Sequence, residues 1–268
     1  MLKFHNHNSF SYFDVHTHLS FQFENDWREA GDRALKAGVG FVNIATDLKS
    51  SQEAIAQTDY FGVVGFCSVG LHPTDGNADD FNQIELLADN SKVVAIGECG
   101  LDYFHQNEIK NNAIQKELFK KHINLAQTVQ KPLMIHCRPS INTMDAYEDL
   151  FDILEEYSQV KKLPIFNIHF FAGDWSIAQK FLTLGGYLSF SGVITFSEQY
   201  NEIIQKIPLQ RLLSETDAPF ASPIPFRGKR NEPAYVKYVA EKIADLRSEL
   251  KEEVLSTLVK NAKNFYKI

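Results

Sequence analysis

Eight short apolar runs, each followed by a stretch with helical spacing, recur along all 268 residues, and this alternation limits the fold more than any other feature. The runs read as strands at Tyr12–His16, Val39–Ala45, Gly62–Val69, Lys92–Ile96, Pro132–Ile135, Pro164–Ile168, Gly186–Phe190 and Leu209–Ser214. Helical patterns fall between them at Asp26–Lys36, Leu48–Thr58, Asp79–Asp89, Asn107–Gln130, Ile141–Tyr157, Trp175–Leu184 and near Ser197–Lys206. Two more, Glu232–Leu246 and Lys251–Phe265, close the chain. Strands that alternate with helices come together as a parallel sheet. Eight such units in a chain close to the ~250 residues usual for the fold predict a single (β/α)8 TIM-type barrel over 1–268. A doubly wound open sheet would alternate in the same way. It usually carries G-x-G-x-x-G after its first strand, and no such run follows Tyr12–His16.

Composition narrows the function classes. A net charge of −7 argues against broad coating of nucleic acid, yet leaves room for a small site that holds one phosphate beside cations. No stretch approaches the ~20 apolar residues of a membrane span, and Met1–Ser11 is too polar for a secretory signal. Cys67, Cys99 and Cys137 are odd in number and lack CxxC spacing, which fits a reducing cytoplasm.

The candidate chemistry lies at the strand ends. His16 and His18 are two residues apart on the first strand, so both rings point to one side. Glu98, His136, His169 and Asp217 each stand just past another strand-like run. On a barrel these six positions share the carboxyl-terminal face, where barrel enzymes keep their active sites. Four imidazoles and two carboxylates exceed one closed tetrahedral site and suit two divalent ions sharing a carboxylate. Glu98, midway in chain order between the two histidine sets, is the natural bridge. Each residue also has a plainer reading: Glu98 as a loop cap, Asp217 as a turn residue before Pro219, any single histidine as a structural one. His72 ends the third strand on the same rim, as a substrate contact or a structural residue, and Asp102 and Tyr103 are placed to orient an imidazole. His5, His7 and His122 read as surface residues. The irregular stretch Ala218–Asn231, rich in proline, reads as a lid or substrate loop.

With these residues in place, the chain resembles the TatD family of metal-dependent deoxyribonucleases, within the amidohydrolase-like barrels. The likeness runs through Phe13-Asp14-Val15-His16-Thr17-His18-Leu19, Gly70-Leu71-His72-Pro73, Gly97-Glu98-Cys99-Gly100-Leu101-Asp102-Tyr103 and Ile135-His136-Cys137-Arg138. It continues in His169-Phe170-Phe171-Ala172-Gly173, Ser191-Gly192-Val193-Ile194-Thr195-Phe196, Glu215-Thr216-Asp217-Ala218-Pro219 and Arg227-Gly228-Lys229-Arg230-Asn231-Glu232-Pro233. The resemblance implies metal ligation by His16, His18, Glu98, His136, His169 and Asp217, and action on DNA with a Mg²⁺-type requirement. Imidazole donors by themselves favour Zn²⁺, so Mg²⁺, Mn²⁺ and Zn²⁺ all stand as cofactors. In the expected reaction, Asp217 accepts a proton from water while Glu98 holds both ions. Arg138, His72, Arg227 and Arg230, with Lys229, are the expected substrate contacts, and Tyr103, Phe104, Phe170 and Phe171 are candidate stacking rings. The DNA expected is single-stranded or a strand end. The competing functions are hydrolysis of a small ester, lactone or amide, and a metal-binding barrel without turnover.

Overall fold

A computed structural model describes residues 10–20, 23, 25–105, 109–160 and 163–268. His5 and His7 lie outside this set. Eight strands, β1 (Tyr12–Thr17), β2 (Val39–Asn43), β3 (Cys67–Val69), β4 (Val93–Asp102), β5 (Leu133–Arg138), β6 (Phe166–Ile168), β7 (Tyr187–Phe190) and β8 (Leu212–Ser214), form one sheet in sequence order. Every neighbouring pair is parallel. The helices that follow them are α1 (Trp27–Lys36), α2 (Leu48–Phe61), α3 (Phe81–Ala88), α4 (Ile109–Val129), α5 (Asp145–Val160), α6 (Trp175–Thr183), α7 (Asn201–Lys206), α8 (Val236–Leu246) and α9 (Lys251–Tyr266). Their apolar faces cover the outside of the strands; on α5, Ala146, Tyr147, Leu150, Ile153 and Leu154 are buried at helical spacing. This is the predicted barrel, and the open-sheet alternative falls with the sequential strand order.

Two local departures from a regular barrel build the site. β4 does not stop at Ile96 but runs to Asp102, because Gly97 and Gly100 take φ of +134° and +141°. A Cβ at Gly97 would lie 2.2 Å from the Met134 carbonyl oxygen, and one at Gly100 would lie 2.0 Å from that of His136. Only glycine lets the two backbones approach so closely. The pairing Ile96↔Leu133 is followed by Cys99↔Ile135, three residues against two. This bulge carries Glu98, itself 3% exposed, into the centre.

The second departure is the seam where β1 meets β8. Backbone contact there is reduced to an isolated bridge, Thr17↔Ala218, with His18 N–H donating to Ala218 O and Asp217 N–H to His16 O. Side chains replace the missing ladder. The buried Asp14 carboxylate accepts from Thr216 N–H (2.8 Å), Thr216 Oγ1–H (2.5 Å) and His16 N–H (3.2 Å). From α9, the Tyr266 hydroxyl donates to Val15 O.

One expectation is corrected. His122 is not a surface residue: it is fully buried on α4. Nδ1 lies 2.8 Å from Leu118 O, and Nε2 accepts from Leu71 N–H at 3.0 Å, so the ring ties α4 to the end of β3 as a neutral imidazole. A helical position between Lys121 and Ile123 gave no sign of which face it occupies. Burial lowers its pKa to about 4, against the usual 6.5. The folded value lies below the unfolded one, so the unfolded chain takes up the proton first and stability falls as pH drops from 6.5 through 4. Across that window the loss reaches roughly 3 kcal/mol. Denaturant titrations at pH 7 and pH 4.5 should show a flatter pH response in His122→Gln than in wild type; equal responses would contradict this role.

Candidate metal centre

All six predicted ligands converge at the carboxyl ends of the strands. On one side, His16 Nε2 and His18 Nε2 lie 3.1 Å apart, at 3.3 and 3.6 Å from Glu98 Oε2 and 3.7 and 3.4 Å from Asp217 Oδ1. On the other, His136 Nδ1 and His169 Nε2 lie 3.3 Å apart and 2.9 and 2.8 Å from Glu98 Oε1. Glu98 therefore presents a different oxygen to each set. The triads His16, His18, Glu98 and Glu98, His136, His169 each have ligand atoms close enough to share one ion.

The polarity of these rings tests whether the site suits cations. His18 Nδ1 lies 3.0 Å from Ile44 O, His136 Nε2 lies 3.1 Å from Asp102 Oδ2, and His169 Nδ1 lies 3.5 Å from Glu215 Oε1. The oxygens at His18 and His136 accept, so those two rings carry a proton on the outward nitrogen and turn the other nitrogen inward, while His169 Nδ1 has Glu215 nearby without a hydrogen bond to it. Burial would lower His18, His136 and His169, but the surrounding carboxylates raise all three, so these rings and the carboxylates call for positive charge between them. Burial and the stacked ring of His169, 3.8 Å away, push His16 down to about 3, so it is neutral and free to ligate. Burial by itself would raise the Glu98 carboxyl; positive charge on the neighbouring rings, His169 first, and the hydrogen bond with His136 outweigh it and hold it well below the usual carboxylate range. The residues fit divalent metal ions.

Asp102 orients His136 as expected, and its other contacts are His105 Nδ1 at 2.9 Å and the backbone N–H of Phe104 and His105. Tyr103 does not orient an imidazole: it is buried, and its hydroxyl donates to Asp149. Glu215, which carried no role in the sequence reading, matches Asp102 on the other side. Fully buried, it accepts from Phe170 N–H (2.7 Å) and Ser189 Oγ–H (2.5 Å), and Ser189 is held by Asn167. An acid inside an otherwise motif-bound Glu-Thr-Asp was the available signal. Glu215→Gln is expected to weaken metal binding about 10- to 100-fold, read by competition with a chromophoric chelator. An affinity equal to wild type would remove Glu215 from this role.

Asp217 adopts a left-handed backbone, φ +54°, which costs a non-glycine residue of order 1–3 kcal/mol and persists only where neighbours enforce it. Here they do. Ala218 N–H donates to Thr216 Oγ1, Phe220 N–H donates to Asp217 O, and buried Asn231 donates to both Thr216 O (2.9 Å) and Phe220 O (2.6 Å). Asp14, Thr216 and Asn231 thus hold the turn that aims the carboxylate, a role the sequence alone assigned to none of them.

The expected substrate contacts divide. His72 reaches the centre: it is 8% exposed, edge-on to His136 at 4.3 Å, and its Nε2 is 3.6 Å from Glu98 Oε1. Burial and the neighbouring His136 lower it to about 4. Arg138 is exposed at the end of β5, its guanidinium 3.9 Å over the Phe104 ring. Arg227 is exposed over Phe196, at 4.2 Å. Arg230 is engaged instead, its fork on both oxygens of Asp26 and its plane 4.1 Å over Phe23. Phe171 is 1% exposed and belongs to the core, as does Tyr103.

Among the described residues, no helix is long and apolar enough to cross a membrane. The chain is 39% identical over 263 residues to the uncharacterized metal-dependent hydrolase YabD of Bacillus subtilis, covering 96% of this chain and 99% of that one. It is 35% identical over 266 residues to the uncharacterized metal-dependent hydrolase YcfH of Escherichia coli, covering 95% of each. The crystal structure of YJJV, a TatD homologue from Escherichia coli, superimposes with a TM-score of 0.85 at 27% identity, over 97% of this chain and 99% of that one. The model of the TatD related DNase family matches residues 13–267, from the strand that carries His16 and His18 to the last helix: the chain belongs to that family.

Proposed function

We propose that this protein is a divalent-metal-dependent hydrolase that cleaves phosphodiester bonds in DNA, acting on single strands or strand ends. The observation that carries the reading is the split of Glu98, with Oε2 toward His16 and His18 and Oε1 toward His136 and His169. The residues that would hold one ion are His16, His18, Glu98 and Asp217, and those for the second are Glu98, His136 and His169. When bound, such a pair activates water near neutral pH and neutralises charge on phosphoryl oxygens. Asp217, at the solvent edge of the centre and 9% exposed, accepts the proton that the attacking water gives up. Arg138, whose planar fork suits phosphate oxygens, steadies the strand on the β5 side, with Arg227 and Lys229 on the loop after β8. Family membership supports a nuclease over other hydrolases.

A second reading, a hydrolase of a small ester, lactone or amide, draws on the acidic rim formed by Asp47, Glu53 and Asp75. The experiment that separates them is digestion of an end-labelled single-stranded oligonucleotide by chelator-stripped protein, with Mg²⁺, Mn²⁺ or Zn²⁺ restored and Asp217→Asn alongside. Metal-dependent cleavage that weakens with salt and disappears in the variant supports the nuclease. Two bound ions with no cleavage under any metal would overturn it in favour of the small substrate.

A further inference from the structure

The mouth of the barrel is electrically lopsided. Beside His18 lies a cavity of about 270 Å³, lined by Ile44, Thr46, Asp47, Glu53, Asp75 and Phe220 with Lys49 among them. Three carboxylates face one ammonium there, and that ammonium, Lys49, sits 3.8 Å from Glu53. A phosphate is repelled from such a pocket. The cations stand on the other side of the mouth, with Arg138 closing β5 and Arg227 lying over Phe196 beyond β7. A nucleotide on the metal centre therefore has one place for its charged backbone and a different one for its neutral part.

Phe220 supplies what a neutral, flat group needs. It is 46% exposed beside His18, while Tyr103 and Phe171 are 4% and 1% exposed; Phe104, 42% exposed, lies beneath Arg138 on the phosphate side, and half-buried Phe170 lies edge-on to His169. Phe220 is also fixed relative to the chemistry: its N–H donates to Asp217 O at 2.8 Å, its carbonyl accepts from Asn231, and its ring meets that of His18 at 6.4 Å and 70°. Base–aromatic stacking tolerates every base because each has a π-face, while the hydroxyl of Thr46 and the carboxylate of Asp75 meet the polar edge. At about 270 Å³ the cavity has room for one base with part of its sugar.

We infer that this cavity is a base subsite, in which Phe220 stacks on the nucleobase next to the bond being cleaved while the phosphates run toward Arg138. The assignment rests on the phosphodiester reading above. Its test compares single-stranded oligonucleotides with a normal nucleotide or an abasic sugar at the scissile end, using wild type, Phe220→Ala and Phe220→Trp. Wild type should favour the base-bearing end, chiefly through KM. Phe220→Ala should lower kcat/KM for that end roughly 5- to 100-fold and remove the preference, and Phe220→Trp should retain it. A second readout needs no cleavage: deoxyadenosine monophosphate should quench the added fluorescence of Phe220→Trp, measured against the background of Trp27 and Trp175, and deoxyribose 5-phosphate should not. DNA cleavage with no base preference and no selective quenching would overturn the subsite and leave the nuclease reading standing. Selective quenching with DNA uncleaved under every metal would sustain the subsite and overturn the nuclease.

Discussion

Glu98→Gln is expected to fold normally, to lose both bound ions, and to lower hydrolysis at least about 1000-fold. The bulge that places residue 98 depends on Gly97 and Gly100 and not on the side chain it carries, so the barrel should form. The centre would not. Each carboxylate oxygen of Glu98 faces a separate pair of imidazole nitrogens, and an amide replaces one of those oxygens with a group that only donates. It also removes the charge that makes the neutral rings a cation site. Losing several kcal/mol of charge stabilisation, ~4 kcal/mol for instance, corresponds to a thousandfold in rate. Metal content after reloading and the rate of oligonucleotide hydrolysis check both halves. A variant that holds two ions and works within tenfold of wild type would show that Glu98 is not the bridge.

Asp14→Ala should destabilise the metal-free protein by about 4 kcal/mol, a large part of the ~5–15 kcal/mol typical of a folded protein. The carboxylate is fully buried and takes three donors at the β1–β8 seam, from Thr216 N–H, Thr216 Oγ1–H and His16 N–H. Alanine leaves them facing a void, at ~1–3 kcal/mol for each buried donor that finds no new partner. The damage reaches function as well, because His16 and His18 lie on one side of the seam and Asp217 on the other. Asp14→Asn, which retains the shape and one acceptor, should fall between alanine and wild type. Urea titrations without metal measure the seam itself, and a loss below about 1 kcal/mol would show that α9 and the backbone bridge close the barrel unaided.

The positions that were readable in advance share a physical cause. A strand that enters a barrel core is apolar along its length, so a histidine or carboxylate at its end stands out against Val, Ile and Leu. His16, His18, His136 and His169 were visible in this way, and so was Asp102 as the partner of an imidazole. Residues whose role depends on which face they occupy were not visible. His122 looks like any polar residue of an amphipathic helix, and only packing turns it inward to meet Leu71. Tyr103 and Phe171 sit beside ligand motifs in sequence and in the core in space, whereas Phe220, which no motif singled out, is exposed at the mouth beside His18. Arg230 read as a phosphate contact because of its charged neighbours in the chain, yet Asp26, over two hundred residues earlier, holds both arms of its fork.

By itself, the sequence determined the barrel, six candidate ligands and the face on which they gather, because strand and helix periods and the chemistry of donor atoms are local properties of a chain. Tertiary structure decided how those ligands are shared and aimed. The division of Glu98 between two imidazole pairs needs the bulge that β4 forms against β5. The outward protons of His18 and His136 need Ile44 and Asp102, which other parts of the sheet supply. The left-handed turn at Asp217 needs Asp14 and Asn231, and these come from opposite ends of the chain. Each is a contact between residues far apart in sequence, and its geometry exists only once the barrel has closed.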